Sequence, residues 1–141
     1  MPKQIPKVCI GKARMKTTVS EKILVVERER IVAMDIDCIL RGSGYSQTTI
    51  AYSFEEAMGK ITSIRPDLVL IDDQIGDTGD GRNGGRKIIE EFNIPVLYLS
   101  SSSPVKNRRG RVDRYAHYLH KPFDATEVSK SVRKILSRKR P

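Results

Sequence analysis

The chain has 141 residues, 38% of them hydrophobic and 30% charged. That balance describes one globular domain with tails, not a disordered chain. No apolar run approaches the ~20 residues of a membrane span, and the opening MPKQIPKVCIGKARMK lacks the apolar centre of a secretory signal. Two cysteines, Cys9 and Cys38, stand at no metal-binding spacing. They are expected to be reduced thiols of a cytoplasmic protein.

The net charge is +9, and its distribution matters more than its size. Eleven of the 26 basic residues lie in 1–20 and 128–141, which contain no acid. Residues 21–127 keep 15 basic residues against all 17 acids. A slightly acidic body therefore sits between basic ends, and this excludes a basic DNA-binding core. Nucleic-acid contact would fall to the tails alone. Residues 1–20 show no periodicity and read as a flexible basic arm; residues 138–141 read as a basic tail.

Order is expected from Lys22. The run Ile23-Leu24-Val25-Val26 is short, apolar and largely β-branched, as in a strand buried on both faces. Ile31, Met34, Ile36, Ile39 and Leu40 follow at mostly helical spacing, and Gly42 and Gly44 end that helix. Gln47 to Tyr52 reads as a half-exposed strand. Ser53 and Glu56 fit a capping box for a helix that stops before Pro66. Leu68-Val69-Leu70-Ile71 then runs straight into Asp72-Asp73, a buried strand ending in carboxylates. A Gly/Asp loop spans Gly76 to Gly85, before a helix with Ile88, Ile89 and Phe92. Val96 to Leu99 is a strand ending in four serines. Lys106 to Arg114 is expected to be a basic helix, weakened by Gly110. His117 to His120 is a fifth strand, ending at Lys121-Pro122-Phe123. Asp124 and Glu127 fit a second capping box for a helix carrying Val128, Val132, Ile135 and Leu136.

This alternation calls for a parallel sheet with helices on both faces. Ligands then sit outside the carboxyl ends of the strands. The strands deliver Glu27 and Arg28, then Asp72 and Asp73, then Ser100, then Lys121 to that rim. His117 and His120 are a poor metal pair, because residues three apart on a strand face opposite ways. The stretch GDTGDGRNGG lacks the Lys-Ser/Thr of a phosphate-binding loop.

The segments ILVVERERIVAMDI, RPDLVLIDDQIGDTGDG, IPVLYLSSS and YLHKPF resemble, in order and spacing, a response-regulator receiver domain of two-component signalling. The resemblance covers residues 21–137. It implies a flavodoxin-like three-layer α/β sandwich with a five-stranded parallel sheet in order 2-1-3-4-5. It implies that Asp72 accepts a phosphoryl group as an acyl phosphate, with Ser100 and Lys121 contacting that group and Tyr118 acting as the switch aromatic. Mg²⁺ would be held by Glu27, Asp72 and the main-chain carbonyl of Gln74. The Lys121-Pro122 bond is expected to be cis. The implied partners are a sensor histidine kinase or phosphotransfer protein and a downstream protein target. The target would dock on the face made by the fourth helix, fifth strand and fifth helix. No membrane and no catalytic turnover are implied.

Three departures stand out. Arg28 occupies the place of a metal-binding acid, removing one anionic ligand and adding a fixed positive charge. Mg²⁺ binding is therefore expected to be weak or absent. The alternative function is a pseudo-receiver, an interaction module that works without phosphorylation. Asp73 stands where an apolar or neutral residue is usual and reads as a solvated loop acid. The third departure is KNRRGRVDR, whose Arg108, Arg109 and Arg111 would meet an acidic partner surface or form a solvated face.

Overall fold

The computed structural model describes residues 19–75, 81–100 and 114–139. Five strands form one parallel sheet: β1 (Val19–Val26), β2 (Tyr45–Ala51), β3 (Leu68–Asp72), β4 (Val96–Ser100) and β5 (Ala116–His120). Their order is β2-β1-β3-β4-β5, the flavodoxin-like arrangement expected. The described helices are α1 (Arg30–Gly42), α2 (Phe54–Ile64), α3 (Gly81–Phe92) and α4 (Ala125–Lys139). The basic helix expected over Lys106 to Arg114 lies, apart from Arg114, outside the described residues. The arm as far as residue 18, Gly76 to Asp80 and the last two residues lie outside them too.

Side-chain alternation along the strands divides the core in two. Ile23, Val25, Leu70, Leu97, Leu99 and Leu119 face one way, against Ile36 and Leu40 of α1 and Val128, Val132 and Ile135 of α4. Leu24, Val26, Val69, Ile71, Val96 and Tyr98 face the other way, against Ala57 and Ile61 of α2 and Ile88 and Ile89 of α3. The central strands are apolar on both faces because both faces are covered.

Local chemistry sets the helix ends. Ser53 Oγ accepts from the Glu56 N–H at 3.0 Å, and Glu56 accepts from the Tyr52 N–H at 2.8 Å. Asp124 and Glu127 cap each other reciprocally, at 2.8 and 2.9 Å. α2 stops at Arg65, which takes a left-handed φ of 55° before Pro66. After α1, Gly44 takes φ 103°, where a side chain would be strained. Arg41 joins α1 to β2 by bonding Asp37 and donating to the carbonyls of Ser46 and Thr48.

Several boundaries differ from expectation. β1 begins at Val19, inside the segment read as an arm, and α4 runs to Lys139. β2 begins two residues early at Tyr45, whose side chain is buried in the core. Cys38 is not a reduced thiol; it is disulfide-bonded. The Lys121-Pro122 bond is cis, as expected.

Two glycines of α3 permit close packing. A Cβ on Gly85 would lie 2.6 Å from Tyr98 Cε1, and one on Gly84 2.7 Å from Phe54 Cε1. Gly59, in α2, has nothing within 4 Å of that position. Gly85→Ala is therefore expected to destabilise by about 1–3 kcal/mol through overpacking. Gly59→Ala is expected to stabilise by about 0.5–1 kcal/mol through helix propensity. Urea unfolding of both variants checks this; equal effects would contradict the packing described.

Candidate functional site

The rim lies where β1, β3, β4 and β5 end. The alternation that divides the core also divides the rim. Glu27 continues the face of Val25, Asp72 that of Leu70, and Lys121 that of Leu119. These three side chains therefore converge on the α1–α4 side. Lys121 Nζ lies 3.5 Å from Asp72 Oδ1, and Asp72 also accepts the Gln74 N–H at 3.1 Å. The Lys121 N–H donates to the Ser100 carbonyl at 2.8 Å, so the lysine is positioned by the β4–β5 ladder itself.

Glu27 is the buried member of this group, only 1% exposed. Its Oε2 accepts the Glu29 N–H at 3.2 Å, while its Oε1 has no hydrogen-bond partner. Burial and the neighbouring Asp72 charge push its pKa up to about 7. The Glu29 N–H and the Lys121 charge offset only part of that rise. Two like charges held together and dehydrated favour protonating one of them. Arg28 is exposed, and the charge that offsets part of the rise on Glu27 is that of Lys121.

The other face holds a separate group. Asp73 follows Ile71, and Ser100 follows Tyr98. Asp73 is not a solvated loop acid; it is 4% exposed. Its N–H donates to the Leu99 carbonyl at 3.1 Å, extending the ladder one residue and holding the side chain against β4. There Ser100 Oγ donates to Asp73 Oδ2 at 2.7 Å. A buried hydroxyl–carboxylate bond of this kind contributes on the order of 1.5–3 kcal/mol. Ser100 is thus engaged with Asp73 rather than with Asp72. Tyr118 stacks on Tyr98, with centroids 5.0 Å apart and planes at 20°. Sequence reading missed the Asp73–Ser100 pair, although alternation from Ile71 and Tyr98 places both on one face.

The donor set on the first face suits a hard divalent cation. It offers two buried carboxylates, Glu27 and Asp72, and the Glu27 Oε1 has no hydrogen-bond partner. It is thin, however. Among the described residues no group of three or more His, Cys, Asp or Glu could hold a metal ion. Lys121 already supplies positive charge beside Asp72.

The comparisons define the class. The response regulator receiver domain family matches residues 23–133, and the chain belongs to that family. It is accordingly a receiver-type signalling module rather than a classical enzyme. The phyllosphere-induced regulator PhyR of Methylorubrum extorquens is 30% identical over 117 residues, covering 82% of this chain and 43% of that protein. The response regulator MprA of Mycobacterium bovis is 32% identical over 124 residues, covering 86% and 53%. A Francisella response-regulator receiver domain superposes with a TM-score of 0.72 at 25% identity, covering 86% of this chain and all of that one. The chain thus spans about half the length of the curated relatives it matches. Receivers of this family take their signal from a histidine kinase or another phosphodonor. Among the described residues, no helix is long and apolar enough to cross a membrane.

The raised Glu27 pKa fixes the sign of a pH effect. Near pH 4 the folded and unfolded carboxyls are both largely protonated and no penalty applies. As pH rises from about 4.5 toward 7, the unfolded chain loses this proton first, so stability falls. Glu27→Gln lifts a penalty of at most about 3 kcal/mol. With a chelator present, it is expected to raise the thermal midpoint clearly at pH 8 and far less at pH 5. An equal gain at both pH values would contradict the charge argument.

Proposed function

We propose that this domain is a phosphorylatable signalling switch with Asp72 as phosphoacceptor. The observation that carries the reading is the placement of Asp72. It is a buried carboxylate at the end of the central strand, with the Lys121 ammonium 3.5 Å away and Glu27 beside it. In the reaction, an Asp72 carboxylate oxygen attacks phosphorus and forms an acyl phosphate. The donor's bond to phosphorus breaks, and the leaving group takes the electron pair and a proton. Lys121 draws one phosphoryl oxygen as a point charge.

Glu27, Asp72 and the Gln74 carbonyl are the residues that would hold Mg²⁺, which would neutralise charge on the transferring oxygens. Arg28, in place of an acidic ligand, keeps that site weak. Ser100 contacts the phosphoryl group by exchanging its bond to Asp73 for one to a phosphoryl oxygen. Tyr118 follows this exchange through its stack on Tyr98. A sensor histidine kinase or phosphotransfer protein supplies the phosphoryl group. A downstream protein target docks on the face that includes β5, α4 and the segment between β4 and β5.

The Asp73–Ser100 bond and Arg28 favour a second reading, a pseudo-receiver that works by binding alone. Intact mass after acetyl phosphate with Mg²⁺ separates the two. The first reading expects an adduct of roughly 80 daltons, one phosphoryl group, on the wild type and none on Asp72→Asn. Absence of the adduct on the wild type favours the pseudo-receiver. Arg28→Asp is expected to tighten Mg²⁺ binding by about tenfold or more and to speed adduct formation, since one added carboxylate contact of about 1.4 kcal/mol gives that factor. Equal Mg²⁺ affinity in both proteins, by titration, counts against the assigned role of Arg28.

A further inference from the structure

A serine hydroxyl has one proton to donate. That of Ser100 goes to Asp73 Oδ2, at 2.7 Å. Ser100 is 1% exposed and Asp73 4%, so burial keeps water from taking the place of either partner. A bond to a carboxylate is charge-assisted, about twice as strong as one between neutral groups. The acceptor is also fixed. The Asp73 N–H donates to the Leu99 carbonyl at 3.1 Å, and Gln74 Nε2 stands 3.5 Å from Asp73 Oδ1. The Asp73 carboxylate thus stays on the face of Ile71, opposite the face that Asp72 shares with Leu70. Ser100 differs, because only its side chain has to turn. Its carbonyl accepts the Lys121 N–H at 2.8 Å and holds the backbone, while χ1 has three staggered wells.

We propose that Asp73 is a positioning residue that holds the switch off: its carboxylate stands in for a phosphoryl group on the wrong face of the sheet and keeps Ser100 Oγ there. This rests on the reading of Asp72 as phosphoacceptor. A phosphoryl group on Asp72 and the Asp73 carboxylate are exclusive acceptors, since the hydroxyl serves one at a time. Phosphorylation therefore has to break the Asp73–Ser100 bond, and the rim's hold on a phosphoryl-like anion is weaker by that amount. The expected weakening is about tenfold, a difference of about 1.4 kcal/mol.

Asp73 also acts by charge alone, because a negative group next to Asp72 repels an anion there whatever Ser100 does. The test separates the two effects. Trifluoroberyllate binds a carboxylate oxygen in the place of a phosphoryl group. It is titrated into the full chain at saturating Mg²⁺ and followed by fluorine NMR, with Asp72→Asn as the blank. Asp73→Ala is expected to tighten binding about tenfold. Asp73→Asn keeps a neutral acceptor for the hydroxyl and is expected to gain less. In a Ser100→Ala background only the charge effect remains, so both substitutions are expected to gain equally there, by about threefold or less. A second readout needs neither metal nor fluoride. With a chelator present, Asp73→Ala is expected to average the Hα–Hβ couplings of Ser100, since the acceptor that selects one χ1 well is gone.

Equal gains with and without the Ser100 hydroxyl overturn the proposal and leave a charge effect only. Single-rotamer couplings retained in Asp73→Ala overturn it too. Binding that needs Asp72 but is unchanged in both Asp73 variants overturns it while the phosphoacceptor reading stands. No binding by any variant overturns that reading and this one with it. A silent wild type beside a binding Asp73→Ala supports the proposal, and if the alanine variant does not fold, Asp73→Asn carries the same comparison.

Discussion

Glu27 and Asp72 are two buried carboxylates on one face of one sheet, and both cannot stay ionised there without positive charge between them. The rest of the rim is arranged around that constraint. Lys121 supplies one charge, held by the β4–β5 ladder. Gln74 and Glu29 each donate a backbone N–H to an acid. What remains uncompensated collects on Glu27, whose second oxygen has no partner and whose pKa rises to about 7. A phosphoryl group on Asp72 would change this balance by adding charge that Lys121 must also serve. The domain thus holds an electrostatic strain at the point where a signal of the same sign would arrive.

Alternation along the strands decides which residues feel that strain. Asp72 and Asp73 are adjacent in sequence yet belong to different faces. One joins Glu27 and Lys121; the other joins Ser100 and lies on the side of the two stacked tyrosines. Any communication between Asp72 and the aromatic pair must therefore cross the sheet. Ser100 is the natural crossing point, because its carbonyl anchors Lys121 while its hydroxyl anchors Asp73.

Much of this was legible in the residues. Apolar runs such as Leu68 to Ile71 marked the buried strands, and the Ser53–Glu56 and Asp124–Glu127 spacings marked helix starts. Strand order followed from the resemblance and not from periodicity, since an apolar run does not say which strand it pairs with. The start of β1 was missed because Val19-Ser20-Glu21-Lys22 has no apolar run; its pairing with β2 is what makes it a strand. Asp73 was misread because a carboxylate after a strand usually meets water. Here one further ladder bond carries it against Ser100. The disulfide state of Cys38 had no local signal, since the spacing of a cysteine in a helix does not say whether it is paired. The exposure of Arg28 was not fixed by the sequence, because side-chain direction at a strand end is set by the pocket and not by spacing.

The tyrosine stack has an optical consequence. The chain has no tryptophan and five tyrosines. Two of these chromophores lie face to face at 5.0 Å, one of them held close against Gly85. Tyr98 precedes Ser100 by two residues, and Tyr118 precedes Lys121 by three. The near-ultraviolet dichroism of the native protein is thus weighted toward this coupled pair. The molecule carries its own label at the rim, read without any added dye, and any event that reorients either ring is written directly into its spectrum.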